Sequence, residues 1–354
     1  MANYFHAAVG IGAAHVMREE GAGAPCKKGE DGMGIGGIVA TLLAVLIAAA
    51  ILVAGYYLYA TWRISRQAER LVPPPGKFVT VDGHRIHYVE RGQGRPILFV
   101  HGLGGTQFQF RPLLPELEKD FRLIAVDRPG SGYSRRNGLS PSSPKEHAAF
   151  LARLIDALGL ERPLVVGHSL GGAVSLALAL DHPDKISGLA LLSPLTQREG
   201  KVAPQFADLY VPSPLKRRIV AHTIAIPRSI KAAPQTLDFI FGPQQPPSDY
   251  AVAGGAMSTL RPAHFFGTST DFGAIGRVMK EQQARYGELG VPVGVLFGTA
   301  DRVVNWEKHG KALEGVVPGL DFETVEGVGH MPQYAATDRV VAFIRRMAGK
   351  AFAN

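Results

Sequence analysis

Hydrophobic and polar positions divide the chain into stretches of different character. From Ile35 to Tyr59 no charged residue interrupts the run IGGIVATLLAVLIAAAILVAGYYLY. A helix rises 1.5 Å per residue, so about 20 such residues cross the roughly 30 Å hydrocarbon core of a bilayer. Tyr56, Tyr57, Tyr59 and Trp62 gather at its C-terminal end, and aromatic rings favour the headgroup region. The pattern predicts a transmembrane helix over 35–62. A secretory signal peptide is the alternative, but its apolar stretch is shorter and an Ala-x-Ala-like cleavage site should follow; Arg63 and a polar segment follow instead. Residues 1–34, rich in Gly and Ala with scattered charges, read as a flexible leader. Residues 63–76 read as a charged, then Pro-rich stalk ending in Pro73-Pro74-Pro75-Gly76, because prolines stiffen a spacer and end a helix.

Beyond residue 76 short apolar runs alternate with amphipathic stretches. Lys77–Val81 and Arg85–Val89 predict two strands joined at an Asp82-Gly83 hairpin turn. Further strands are expected at 96–100, 121–126, 163–167, 186–192, 291–297 and 320–325, with helices near 109–118, 144–158, 170–181, 305–315 and 335–348. Continuous apolar strands between helices signal a parallel sheet covered on both faces, an α/β fold. Residues 194–290 break the rhythm: they are rich in proline and aromatics, and predict an inserted, mainly helical cap of short helices joined by rigid turns. The core is then 77–193 together with 291–354.

Composition changes this picture little. The formal charge is +8 over 354 residues, yet Lys and Arg are scattered without a basic stripe, which argues against a nucleic-acid partner. Cys26 is the only cysteine, so an internal disulfide and a cysteine-based metal site are excluded. Lys27 and Lys28 flank one end of the apolar run and Arg63, Arg66, Arg70 and Lys77 the other. The count leans toward a cytoplasmic C-terminal domain. An exported domain is the alternative, and the expected location is a single-pass N-terminal anchor in a bacterial inner membrane.

The chemistry concentrates where strands end. Strand 163–167 runs into Gly167-His168-Ser169-Leu170-Gly171-Gly172, and an Ala/Leu-rich helix follows at once. A Gly-x-Ser-x-Gly turn between strand and helix holds a serine proud of the sheet as a nucleophile. Side chains at Gly167 and Gly171 would collide where strand and helix approach. A serine needs an imidazole to take its proton, and the imidazole needs a carboxylate to orient it. Strand 291–297 leads into Asp301 and strand 320–325 into His330, which lies between Gly329 and Met331-Pro332. The order Ser169, Asp301, His330 suits this fold. Asp338 and Glu307 are weaker acid candidates because neither directly follows a core strand. The tetrahedral oxyanion needs pre-aimed donors, assigned to the backbone N–H of Leu170 and of Leu103, in the loop His101-Gly102-Leu103-Gly104-Gly105. His101 and His168 are expected to be structural, and Asp127 with Arg128 to organise a turn through a salt bridge. Neither metal-ligand spacing nor a nucleotide-binding Gly pattern is present, and no cofactor is expected.

HGLGG at 101–105, GHSLGG at 167–172, GTADRVV at 298–304 and GVGHMP at 327–332 together resemble the α/β-hydrolase superfamily with a cap, over about residues 78–348. The resemblance implies an eight-stranded, mostly parallel sheet, a cap after the sixth strand, and hydrolysis through an acyl-enzyme on Ser169. Capped epoxide hydrolases and haloalkane dehalogenases share the layout but use an aspartate nucleophile, where this chain has Ser169. The wording is nearest to lipases and small-molecule esterases, and a hydrophobic ester or lipid is the expected substrate. Carbon–carbon bond hydrolases of ring-cleavage products are the enzymatic alternative; an inactive membrane-tethered binding or scaffold protein is the non-enzymatic one. Phe206, Leu209, Tyr210, Phe239, Phe241, Phe265 and Phe266 are candidates for an acyl pocket.

Overall fold

A computed structural model describes residues 34–140, 142–200 and 203–353. The expected leader, apart from its last residue, and Cys26 lie outside the described residues. The described residues divide after Ile51 into two compact units.

Helix α1, Ile35–Leu71, is the one described helix long and apolar enough to cross a membrane; its most apolar 18-residue window has a mean hydropathy of 2.8 and is entirely unburied. The helix does not stop at Trp62. Residues 63–71, expected as stalk, continue it, because Arg, Gln, Ala and Glu are good helix formers. Pro73 ends it by disfavouring helical backbone at the residue before it. Thr61, Ala68 and Val72 are buried on one stripe of this second section, while Arg63, Arg66 and Arg70 face outward. Glu69 pairs with Arg261 at 3.1 Å, and Tyr133 donates its hydroxyl hydrogen to the Val72 carbonyl. The expected spacer is thus a docked helix followed by only a short proline turn.

The sheet has eight strands: β1 (Lys77–Val81), β2 (His84–Arg91), β3 (Pro96–Val100), β4 (Arg122–Val126), β5 (Leu164–His168), β6 (Gly188–Leu192), β7 (Val293–Gly298) and β8 (Asp321–Val325). Their order is β1-β2-β4-β3-β5-β6-β7-β8, antiparallel at β1–β2 and β2–β4 and parallel elsewhere. Asp82 and Gly83 both have positive φ, 51° and 75°, the backbone of a tight hairpin turn matched to strand twist.

Alternation along the strands builds two cores. Leu98, Val100, Ile124 and Val126 face one side, with α2 (Pro144–Ala157) and α3 (Leu170–Asp181) contributing Leu151, Leu154, Val174 and Leu178. Ile97, Phe99, Leu123 and Ala125 face the other, packed with Phe343, Ile344 and Met347 of the C-terminal helix Thr337–Phe352. Both faces are covered, so the parallel strands read as unbroken apolar runs rather than as alternating ones. The helix expected near 109–118 is two short pieces, Gln107–Phe110 and Leu114–Leu117, since Pro112 removes a donor between them, while Pro115 is tolerated in the first turn of the second. The one expected near 305–315 is likewise split, into Trp306–His309 and Lys311–Leu313.

Between β6 and β7 lie α4 (Pro214–His222), α5 (Ala225–Phe241) and α6 (Pro262–Gln283), with short turns of 3₁₀ helix. Two of these are longer than the proline content suggested. Pro227 falls in the first turn of α5, where its missing N–H costs nothing, and α5 runs on through Pro234 with Ile226 and Phe241 buried. The C-terminal helix is α7.

Candidate active site

Ser169 sits at the turn from β5 into α3 with φ 54° and ψ −119°, backbone that L-residues adopt only under constraint. The constraint is visible on both sides. The Ser169 N–H donates to Leu192 O (3.1 Å), and its carbonyl accepts from Gly172 N (2.9 Å) and Leu195 N (2.9 Å). A Cβ on Gly171 would lie 2.0 Å from the Val100 carbonyl oxygen, and one on Gly167 2.5 Å from Ser175 Oγ. The strand and helix touch backbone to backbone at Gly171, so Gly171→Ala should lower the thermal midpoint sharply or prevent folding, at a cost of about 3 kcal/mol or more; a melting curve checks it.

Asp301 and His330 arrive from the ends of β7 and β8. His330 Nδ1 lies 2.8 Å from Asp301 Oδ2. Asp301 Oδ1 accepts from the amides of Val303 (2.8 Å) and Val304 (2.9 Å). Burial pushes the Asp301 pKa up, but the His330 charge and hydrogen bond and those two amides outweigh it and hold the carboxylate below its ordinary range. The imidazole is therefore oriented by a carboxylate that is itself fixed. His168 donates from Nε2 to the His330 carbonyl (2.9 Å), with the two rings 4.8 Å apart. Ser169 and His330 thus meet at one sheet edge through adjacent residues; among the described residues no hydrogen bond joins Ser169 Oγ to His330. Such bonds commonly tighten only around substrate. Gln244 holds the His330 loop from outside, accepting from Gly329 N (2.9 Å) and donating to Gly327 O (2.8 Å).

Leu103 and Leu170 also come together, packed in one small cluster with Ala173, Leu195, Ile275 and Met279. Among the described residues neither amide has an acceptor. Three of the loop carbonyls, by contrast, are engaged. Arg128 Nε donates to His101 O (3.1 Å) and Nη2 to Gly102 O (3.0 Å), and His264 Nε2 lies 3.2 Å from Gly104 O. Gly102 N donates to Gln109 Oε1 (3.1 Å). Holding the carbonyls on one side leaves the Leu103 N–H free on the other. His101 is structural: its Nε2 accepts from Arg128 N at 3.0 Å, and burial drives its pKa well down.

The Asp127–Arg128 salt bridge does not form. Asp127 accepts from Gln107 N (2.8 Å) and Tyr133 N (3.0 Å) and pairs with His87 at 2.8 Å. Arg128, fully buried, pairs instead with Asp271 of α6 at 2.7 Å. Asp271 also meets Arg136 at 2.5 Å and His147 at 3.2 Å. Burial opposes the Asp271 charge, but the facing cationic groups hold its pKa far below the usual carboxylate range. This clamp was not visible in the sequence, although Asp271 is the only acid between Pro262 and Val278 and lies two turns after His264. Both residues project from the face of α6 that covers the His101–Gly105 loop.

The expected acyl-pocket side chains divide. Leu209, Phe265 and Phe266 pack with Ala221 and Ala225 inside the cap. Phe206 stacks edge-on with Phe239 at 6.0 Å, Phe241 joins Tyr250 and Tyr334, and Tyr210 is exposed.

Burial holds His147 and His264 near pKa 4 and His168 near 3. In an unfolded chain imidazoles take a proton near pH 6.5. Between about pH 6.5 and 4 the unfolded state therefore binds more protons, and stability falls as pH falls. The thermal midpoint should be flat above pH 7 and drop by roughly 10 °C or more on reaching pH 4.5, as calorimetry would show.

A family profile described as the alpha/beta hydrolase fold matches residues 95–218. The dihydrolipoyllysine-residue acetyltransferase component of the acetoin cleaving system from Cupriavidus necator is 27% identical over 279 residues, 77% of this chain and 69% of that protein. Haloalkane dehalogenase 2 of Mycobacterium tuberculosis is 35% identical over 122 residues, which span 34% of this chain and only 43% of the relative. Among solved structures, a membrane phospholipase A described as a bacterial virulence factor superposes with a TM-score of 0.60 at 22% identity, covering 88% of this chain and 98% of that one.

Proposed function

Because the chain belongs to the α/β-hydrolase superfamily, we propose that it is a serine hydrolase that cleaves carboxylic esters with apolar or lipid-like acyl groups. Ser169 Oγ attacks the ester carbonyl while His330 Nε2 takes its proton, with Asp301 stabilising the imidazolium. The amides of Leu103 and Leu170 receive the oxyanion. His330 then protonates the leaving alcohol, which departs, and activates the water that releases the acid from the acyl-enzyme. No step needs a cofactor or metal. The observation that carries this reading is the 2.8 Å Asp301–His330 pair at the sheet edge where Ser169 stands on strained backbone.

The apolar section of α1 is read as a single-pass anchor, and the bilayer as a partner, with the soluble domain at the surface of a bacterial inner membrane. Its length, complete exposure and aromatic end support this, as does the likeness to a membrane phospholipase. That setting favours a lipid or other hydrophobic ester. The test is a panel of p-nitrophenyl esters from acetyl to palmitoyl, with Ser169→Ala as control. Turnover that the control abolishes, and labelling of Ser169 by a fluorophosphonate, are expected. Turnover of a ring-cleavage dienone without turnover of any ester would replace ester hydrolysis by carbon–carbon cleavage. Inertness toward both, with no label, would leave a binding protein.

A further inference from the structure

The cap carries a surface that the hydrolytic site does not use. Tyr210, Leu215, Ile219, Ile224 and Ile230 are between 40% and 69% exposed, all within one stretch of 21 residues. Isolated apolar side chains on a surface are ordinary; a cluster of this kind marks a contact. The charge around it is predominantly basic, and Asp208 at its border is paired with Arg228 at 2.6 Å. No Asp or Glu occurs from Leu209 to Leu237, while Lys216, Arg218 and Lys231 are exposed and have no acidic partner among the described residues. Leu215 and Ile219 lie one turn apart on α4 with Lys216 and Arg218 beside them.

The position of this patch follows from one contact. Thr61 Oγ1 donates to the carbonyl of Thr223, at the corner between α4 and α5, at 2.5 Å. Thr61 is next to Trp62 and within two turns of Tyr56, Tyr57 and Tyr59, the aromatic residues that set the headgroup level on α1. Thr223 in turn donates to Ile219 O at 2.7 Å and precedes Ile224. Ile219 and Ile224, which flank this corner, therefore lie close to Thr61 and the aromatic end of α1.

We infer that α4 and the start of α5 dock on an anionic bilayer, with Leu215, Ile219 and Ile224 entering the headgroup–acyl boundary and Lys216, Arg218 and Lys231 meeting lipid phosphates. An amphipathic, Lys/Arg-rich helix lying in the interface plane binds in this way. The inference rests on reading the apolar section of α1 as a membrane span. It has a consequence for the site: buried Arg217 ties α4 to Thr270 of α6 at 2.8 Å, and Thr270 adjoins Asp271. The docked helix is thus braced against the helix that clamps the oxyanion loop.

The test uses the full chain in a Cys26→Ser background, reconstituted into vesicles of phosphatidylglycerol and phosphatidylcholine that carry shallow spin-labelled lipids. An environment-sensitive fluorophore is placed singly at Ile219→Cys or Leu215→Cys. Leu139→Cys and Val316→Cys serve as exposed apolar references elsewhere on the domain, and Leu46→Cys, with a deep spin label, reports the span. Quenching at Ile219 and Leu215 should exceed the references at least threefold, and should fall by half or more in pure phosphatidylcholine or with Lys216→Glu and Arg218→Glu together. Quenching at Leu46 with Ile219 and Leu215 at the reference level would overturn the docking and leave the anchor intact. Absence of quenching at Leu46 would remove the anchor, and with it the premise on which the docking was inferred. A signal that follows protein density and ignores the lipid label would assign the patch to a second copy of the chain and reject the proposal.

Discussion

His330→Ala should lower kcat toward esters by about 10⁶-fold, and adding Ser169→Ala should cost almost nothing more, because members of a relay act as a unit. Asp301→Asn should be milder, about 10⁴-fold, since it keeps a side chain of the same shape but, by donating to Nδ1, holds the imidazole in the wrong tautomer. The structure supports this ranking. Asp301 accepts two amides on one oxygen and His330 Nδ1 on the other, so an amide side chain keeps only part of that set. Steady-state and burst kinetics on the single and double variants would measure it. Additive losses at Ser169 and His330 would show that the two do not act as one relay, and an Asp301→Asn enzyme within tenfold of the parent would remove Asp301 from it.

The second large effect is expected far from Ser169 in sequence. Asp271→Asn removes the carboxylate that, among the described residues, pairs with both Arg128 and Arg136. Breaking a buried pair by deleting one partner leaves an uncompensated charge and costs about 3–5 kcal/mol, or roughly 10 °C in thermal midpoint for a domain of this size. Activity should suffer separately, because Arg128 holds the carbonyls of His101 and Gly102 that aim the Leu103 amide. A tenfold or larger fall in kcat with little change in KM is expected, since the oxyanion forms only after binding. Combining Asp271→Asn with Arg128→Met should restore part of the lost stability without restoring kcat. A melting temperature unchanged in Asp271→Asn would show that the pair carries no such role.

These two sites differ in how far the chain alone discloses them. Each catalytic candidate directly follows a strand whose apolar run is unmistakable, and Gly-x-Ser-x-Gly, Asp301 and His330 are marked by their immediate neighbours. The strands were legible for the same reason: burial on both faces writes itself into consecutive residues. The clamp is different in kind. Arg128 and Asp271 are 143 residues apart, and beside Arg128 the sequence offers Asp127, a nearer carboxylate that in the fold is already occupied by His87 and two amides. Local charge pairing was the reasonable expectation, and long-range packing overrode it. The same holds for residues 63–71, whose charges read as a spacer until Thr61, Ala68 and Val72 were seen buried along one stripe.

Taken by itself, the sequence determined the apolar run, the order of strands and helices, and the three side chains set at strand ends, because those depend on periodicity and on residues within a few positions of one another. The assembled fold alone settles which donors tie down the His101–Gly105 loop, which acid neutralises Arg128, how Thr61 meets the cap, and which cap residues stay exposed. Each of those depends on chain segments that approach one another only when the sheet and the cap are assembled, and no local pattern encodes that approach.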